Sequence, residues 1–250
     1  AFWDRFADDG GTPNGYSEWL TEATGVHYFP ESFLGDMDAG TYSSQYIAPR
    51  LEPGATWAPD FGGVTFTVPD GWANFGDRPA VFDLTPSSEF AKQTADNPGP
   101  SEGKAQTFDI LAQPTANYQY AGCSPNWHAG VRNTVDSLIG FITTLPSLTS
   151  TAPRSITIDG HPGKWVDVQN APSWKTTCNG DPLPATQFLT QYETTIGWLI
   201  GAYDHERYRL IFLDLGDGKT VLVAIDSSDP SKFDALVAKA MPIVSTLKFE

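Results

Sequence analysis

The stretch YRLIFLDLGDGKTVLVAID, residues 208–226, decides the fold. Two apolar runs, Leu210–Leu213 and Val221–Ile225, flank Asp217-Gly218. Asp-Gly between two such runs signals a tight hairpin, because both central residues of that turn need positive φ. Neither run alternates apolar with polar. A strand that is apolar on both sides belongs at the centre of a sheet whose two faces are covered. The expectation is a pair of central strands near Tyr208–Leu215 and Thr220–Asp226, with helices over at least one face.

Working outward, the chain next predicts a helix. Asp229 reads as its cap, and Pro230 suits a first helical turn. Phe233, Leu236, Val237, Ala240 and Val244 fall on one stripe of a 3.6-residue period. Pro242 should kink or end this helix, since its nitrogen cannot donate. Upstream, a strand near Ile196–Tyr203 adds to the meander. A second helix follows from Val131, Val135, Leu138, Ile139, Ile142 and Leu145, stopped by Pro146. Ile156 and Ile158 on one side of Asp159-Gly160, and Trp165, Val166 and Val168 on the other, predict another hairpin.

Nearer the start, Val64, Phe66 and Val68 alternate with Thr65 and Thr67 and close on Pro69-Asp70-Gly71, as a half-exposed strand would. Further strands are read near Ala80–Leu84 and at Phe108, Ile110 and Ala112. The result is an α+β chain: an antiparallel sheet of about eight strands with two main helices packed on it. Residues 1–38 are read as an N-terminal extension carrying a turn cluster (DDGGTPNG) and a short helix capped by Ser17, docked on a single domain at 39–250. Forty residues are too few to stand alone without a staple.

Composition limits the function classes. Thirty acids against 15 bases give a net charge of −15, which repels phosphate backbones and anionic lipid, so nucleic acid is excluded as a charge-driven partner. The acids are scattered and read as a solvated surface. The longest charge-free apolar stretch, Ile196–Tyr203, falls well short of the roughly 20 residues a membrane helix needs. Ala1-Phe2-Trp3-Asp4 has neither a basic start nor an apolar run, so the reading is a leader already removed or a piece of a longer protein.

Cys123 and Cys178 sit in small, polar, turn-forming surroundings, AGCSPN and TTCNGDP. That context and the even count predict a loop-to-loop disulfide and an oxidising, extracytoplasmic compartment. Closing such a loop stabilises by up to ~4 kcal/mol on the chain-entropy account.

The order of AGTYSSQYIAP (39–49), FTVPDGW (66–72), a Cys before an amphipathic helix, IDGHPGKWVDV (158–168), a second Cys and FDALVAKAMPIVSTLKF (233–249) resembles uncharacterised extracytoplasmic domains of actinobacterial lipoproteins and membrane-anchored proteins. More distantly, the strand opening on Val68-Pro69-Asp70-Gly71-Trp72 and the last helix running into a terminal strand are similar to the Mog1/PsbP-like fold. The resemblance covers 39–250. It carries no active site, and it implies a binding or assembly role and a tether outside this stretch.

No chemistry-bearing motif is complete. GYSEW (15–19) lacks the last glycine of a nucleophile elbow, and SEGK (101–104) lies in a Pro/Gly loop that keeps its lysine solvated. Gly218-Lys219-Thr220 sits between strands, not before a helix, and is read as a turn. The four histidines are far apart in sequence, Asp36–Gly40 lacks the third acid of a calcium loop, and Asp204-His205-Glu206 reads as a solvated hairpin tip. No catalytic residue, metal ligand or cofactor is therefore assigned. The candidate ligand-binding residues are Trp127, His128 and Trp174, because tryptophans in polar loops offer flat apolar faces and the predicted disulfide would draw the two loops together. The functional expectation is a non-catalytic extracytoplasmic binding or interaction module, with a small molecule, glycan or envelope protein as partner. The alternative is a secreted hydrolase.

Overall fold

The computed structural model describes residues 27–28, 35–44, 63–78, 81–90, 106–119, 125–127, 130–177, 183–191 and 199–249. Its centre is the predicted hairpin. Strand β15 (Arg207–Gly216) pairs with β16 (Lys219–Ser227), with Leu210 opposite Ala224 and Leu213 opposite Val221. Asp217 and Gly218 take φ of 52° and 77°, the left-handed pair such a turn requires. Both runs are buried on both faces, as their double-sided apolar pattern demands.

Seven more strands extend this hairpin into a nine-stranded sheet. They are β2 (Gly35–Met37), β5 (Trp72–Arg78), β6 (Val81–Pro86), β7 (Gln106–Ala112), β10 (Leu148–Ser150), β11 (Arg154–Ile158) and β12 (His161–Asn170). The order is β10-β12-β15-β16-β7-β6-β5-β2, with β11 also on β12. Every pair in it is antiparallel.

One face of the sheet carries Ile211, Leu213, Val221, Val223 and Ile225. These pack against helix α2 (Phe233–Val244) and against a small sheet of β1 (His27–Tyr28), β3 (Gly40–Ser44), β4 (Val64–Val68) and β17 (Lys248–Phe249). Phe66 of β4 meets Phe82 of β6 with ring centroids 4.8 Å apart, which seats the small sheet on the large one. The other face carries Leu210, Phe212, Leu222 and Ala224. These pack against helix α1 (Val135–Thr144) and a sheet of β14 (Leu199–Tyr203), β13 (Ala185–Gln191), β8 (Pro114–Gln119) and β9 (Pro125–Trp127).

The antiparallel sheet with helices on it is thus present. The molecule is more sheet-dominated than the sequence reading: seventeen strands, two long helices and a helical turn at 87–90 lie among the described residues, not about eight strands and two helices. Two boundaries also move. Helix α1 starts at Val135 behind its cap Thr134, so Val131 packs from the preceding segment. Helix α2 is preceded by Lys232, while Asp229 accepts a bond from the Ser231 amide in the turn before it. Pro242 lies inside α2, which ends two residues later, and Pro146 holds Leu145 extended where α1 stops.

The third correction is topological. β14 does not pair with β15; it belongs to the sheet with β13, so the predicted meander breaks there. The chain crosses between these two sheets at Gln113, with φ 52°, and at Asp204, with φ 48°. Strands that change sheets need a sharp corner, and a left-handed residue supplies it.

Candidate functional site

The second of those corners builds the site. After β12, residues 171–175 cross the end of β13, and Pro184, Asp204, His205 and Pro230 come up beside them. Together they enclose a cleft of about 350 Å³. Its apolar lining comes from Trp174, Pro172, Pro184 and Pro230, and Lys175, Asp204 and His205 place polar groups at its walls.

Trp174 is half-buried, packs against the second core and donates from Nε1 to the Ala185 carbonyl at 2.9 Å. The indole N–H is therefore committed to the fold, and the ring offers a fixed apolar surface to the cleft. Asn170, at the end of β12, fixes the surrounding segments. Its Nδ2 lies 3.2 Å from the Pro184 carbonyl, 3.0 Å from that of Ala202 and 3.3 Å from that of Asp204. The Asp204 amide donates to the Pro184 carbonyl at 2.7 Å, and the Asp204 carboxylate lies 3.5 Å from His205 Nε2.

Of the three residues chosen from sequence, Trp174 lines this cleft. Trp127 ends β9, opposite Asn117 of β8, and β8 lies between β9 and the strand β13 that holds Trp174. His128, Cys123 and Cys178 lie outside the described residues, as do Ser17 and residues 101–104.

Asp204-His205-Glu206 is not a solvated hairpin tip. Asp204 and His205 face outward, but Glu206 is buried. Its amide donates to the Tyr203 carbonyl at 2.9 Å, and its Oε2 accepts from the Tyr203 amide at 3.1 Å, so one residue closes the turn twice. Beneath it lies the most unusual feature of the molecule. Asp83 of β6, Asp109 of β7 and Asp226 of β16 point into the interior on the face that carries Leu210 and Leu222. Their exposures are 0%, 5% and 4%, with Glu206 at 6%.

Register explains the grouping. Asp83 stands directly opposite Asp109, and Thr107, two residues along β7, stands opposite Asp226, which itself faces Tyr208. Asp83 meets Asp109 carboxyl to carboxyl, as Asp226 meets Glu206, and two carboxyls so placed hydrogen-bond only when one of them carries a proton. Thr107 Oγ1 joins the two pairs, lying 3.2 Å from Asp109 Oδ2 and bonded to Asp226 Oδ1. Tyr208 donates its hydroxyl to the Gly201 carbonyl at 2.9 Å.

Isolated buried carboxylates are costly, so such groups hold their protons. Burial first, then the charges of Asp83 and Asp226, push the Asp109 carboxyl well above the usual carboxylate range. Burial and then the Glu206 charge do the same to Asp226. Burial raises Glu206 as well, against hydrogen bonds that pull it down. Burial and the charge of Glu206 push the Tyr208 phenol up.

Hydrogen counting agrees. The chain Asp83–Asp109–Thr107–Asp226–Glu206 has four links and needs four hydrogens. Thr107 supplies one, so three come from the four carboxyls. The Tyr203 amide also donates to Glu206, and the Tyr208 side chain reaches it.

The sequence reading missed this group. Its signal was present: Asp109 lies between Phe108 and Ile110, and Asp226 ends an apolar run, both on strands the pattern already required to be buried. Among the described residues, no group of three or more His, Cys, Asp or Glu side chains is arranged to hold a metal ion, the carboxyl chain included. No helix among them is long and apolar enough to cross a membrane.

Fold and site together define a sheet-dominated α+β chain with a small tryptophan-lined cleft at a corner between two sheets. No family model matches the chain, and no curated protein matches it. Similar solved structures include the solution structure of cyanobacterial PsbP (CyanoP) from Synechocystis sp. PCC 6803, with 10% identity, a TM-score of 0.39, and coverage of 86% of this chain and 95% of that one. Another is a Bacteroides thetaiotaomicron VPI-5482 protein, with 10% identity, a TM-score of 0.33, and coverage of 75% of this chain. The match spans only 45% of that protein's length. Likeness this distant assigns no function.

Proposed function

We propose that this chain is a non-catalytic, extracytoplasmic binding module of the Mog1/PsbP-like kind, and that a small ligand seats in the Trp174 cleft. The observation that carries the reading is Trp174 itself. A large aromatic ring is pinned by its own N–H at the wall of a cleft whose other walls are three prolines, Ala171 and polar side chains that include Lys175, Asp204 and His205. Small-molecule sites are apolar concavities with a few placed polar groups, from about 300 Å³ upward, and this cleft stands at the lower end of that range. A single sugar ring or metabolite fits its size and its mixture of a flat apolar surface with hydrogen-bonding groups.

The acidic balance and the two cysteines in turn-forming contexts support the compartment, with Cys123–Cys178 as the proposed staple. A thermal-shift panel of mono- and oligosaccharides and small metabolites tests the site, because a ligand that binds only the folded state raises the melting midpoint. A compound that stabilises the parent should fail to stabilise Trp174→Ala. Equal stabilisation of both proteins would place the site elsewhere.

A further inference from the structure

The corner at 204–206 has two sides: Asp204 and His205 line the cleft, while Glu206 rests on Asp226 in the buried carboxyl chain. We propose that the wall of the Trp174 cleft is proton-linked, closed while the chain Asp83–Asp109–Thr107–Asp226–Glu206 keeps its full set of hydrogens and displaced when one is lost to solvent. This is a regulation of the cleft proposed above and rests on that reading of it.

What surrounds Glu206 and Asp226, among the described residues, decides their response to a lost proton. Strands β8, β9, β13 and β14, which cover this face, contain no charged residue. Arg207 and Arg209, on either side of Tyr208, belong to the opposite face. Arg207 lies over the Phe233 ring at 4.2 Å and beside Asp234; Arg209 lies over Trp165 at 4.0 Å and is bonded twice to Asp167. Among the described residues, the groups facing Glu206 and Asp226 are Tyr208 from β15, Thr107 and Asp109 from β7, and Asp83 from β6. Each of these is neutral or acidic.

When Asp226 releases the proton it donates to Glu206, two carboxylates stand in contact in a desolvated site, and like charges so placed repel strongly. Of the two, Asp226 lies within a central strand, paired on both sides. Glu206 lies in a corner held by a turn. Relief therefore comes from Glu206 swinging toward solvent, which breaks its bond to the Tyr203 amide. Asp204 and His205, adjacent in the chain, move with it.

The test needs no ligand. Tryptophans are labelled with 5-fluorotryptophan, the Trp174 fluorine resonance is assigned by its loss in Trp174→Phe, and the parent is titrated from about pH 4 to pH 9, the span that raised carboxyls occupy. The resonance should move in one step above the ordinary carboxylate range. Asp226→Asn replaces the shared proton with a permanent N–H donor, and the step should vanish. His205→Gln removes the exposed imidazole as a source of signal, and the step should persist. If Asp226→Asn does not fold, Glu206→Gln takes its place with the same expectation.

A resonance that stays still in the parent, a step unchanged in Asp226→Asn or Glu206→Gln, or a step lost in His205→Gln would each overturn the proposal. The cleft's role as a binding site is judged apart, by the ligand shifts of Trp174→Ala.

Discussion

Asn170 shows how much of this site hangs on single residues. Its amide nitrogen stands within hydrogen-bond distance of carbonyls from three segments, at Pro184, Ala202 and Asp204. Asn170→Leu takes the side-chain donor from the buried Ala202 carbonyl and from that of Asp204, while the Pro184 carbonyl keeps the Asp204 amide, so a loss of about 1–3 kcal/mol is expected in urea unfolding. Asp226→Asn should act in the opposite sense. It removes an acid from a place where negative charge is disfavoured, so the melting midpoint should rise by a few degrees near pH 8, at about 2–4 °C per kcal/mol for a chain of this size. Near pH 4, where the native carboxyl is already protonated, it should change little. At this scale the sequence was half legible. Trp174 was identified from its polar surroundings and lines the cleft. Glu206 was read as a turn residue, because spacing shows that a chain turns but not what packs beneath the turn.

At the scale of elements, the constraint is close approach between strands. Gly163 of β12 faces Leu213 of β15, and a Cβ built there falls 2.2 Å from the Phe212 carbonyl oxygen and 2.8 Å from Leu213 Cδ2. Backbone cannot yield by that much without parting the strands. Gly163→Ala is expected to destabilise by about 1–3 kcal/mol, the usual range for overpacking, and to do so at every pH. The hairpins at Asp159-Gly160 and Asp217-Gly218 were legible because their turn residues carry a conformational demand of their own, met here by positive φ at all four positions. The crossings at Gln113 and Asp204 were not, because the residues after them are Pro114 and His205 and no glycine marks a left-handed pair. Without them β14 and β15 read as neighbours. The small sheet of β1, β3, β4 and β17 also joins segments far apart in the chain, and local pattern holds no record of which strands meet.

Among the described residues two large cores lie on the two faces of the central sheet, and the pH response follows from the second. Asp109, Asp226 and Glu206 all have native-state pKa values raised above those of unfolded carboxyls. Between the two values the native state binds more protons than the unfolded chain, so unfolding free energy falls as pH rises. This stabilising contribution is complete below the unfolded value of about 4 and is lost as pH climbs through the native ones. Urea midpoints should therefore be higher near pH 5 than near pH 8. A flat or rising profile would contradict the protonated chain. The Cys123–Cys178 staple is checked at this scale by thiol counting of the unfolded protein under non-reducing conditions, where no free thiol is expected.

Ligands are expected to enter beside Trp174. The most direct measurement is a fragment and saccharide screen by amide chemical-shift mapping on the uniformly labelled, oxidised protein. Perturbations from any bound compound should concentrate at residues 169–175 and 204–206. Binding that perturbs a different surface and leaves those residues unmoved would contradict it.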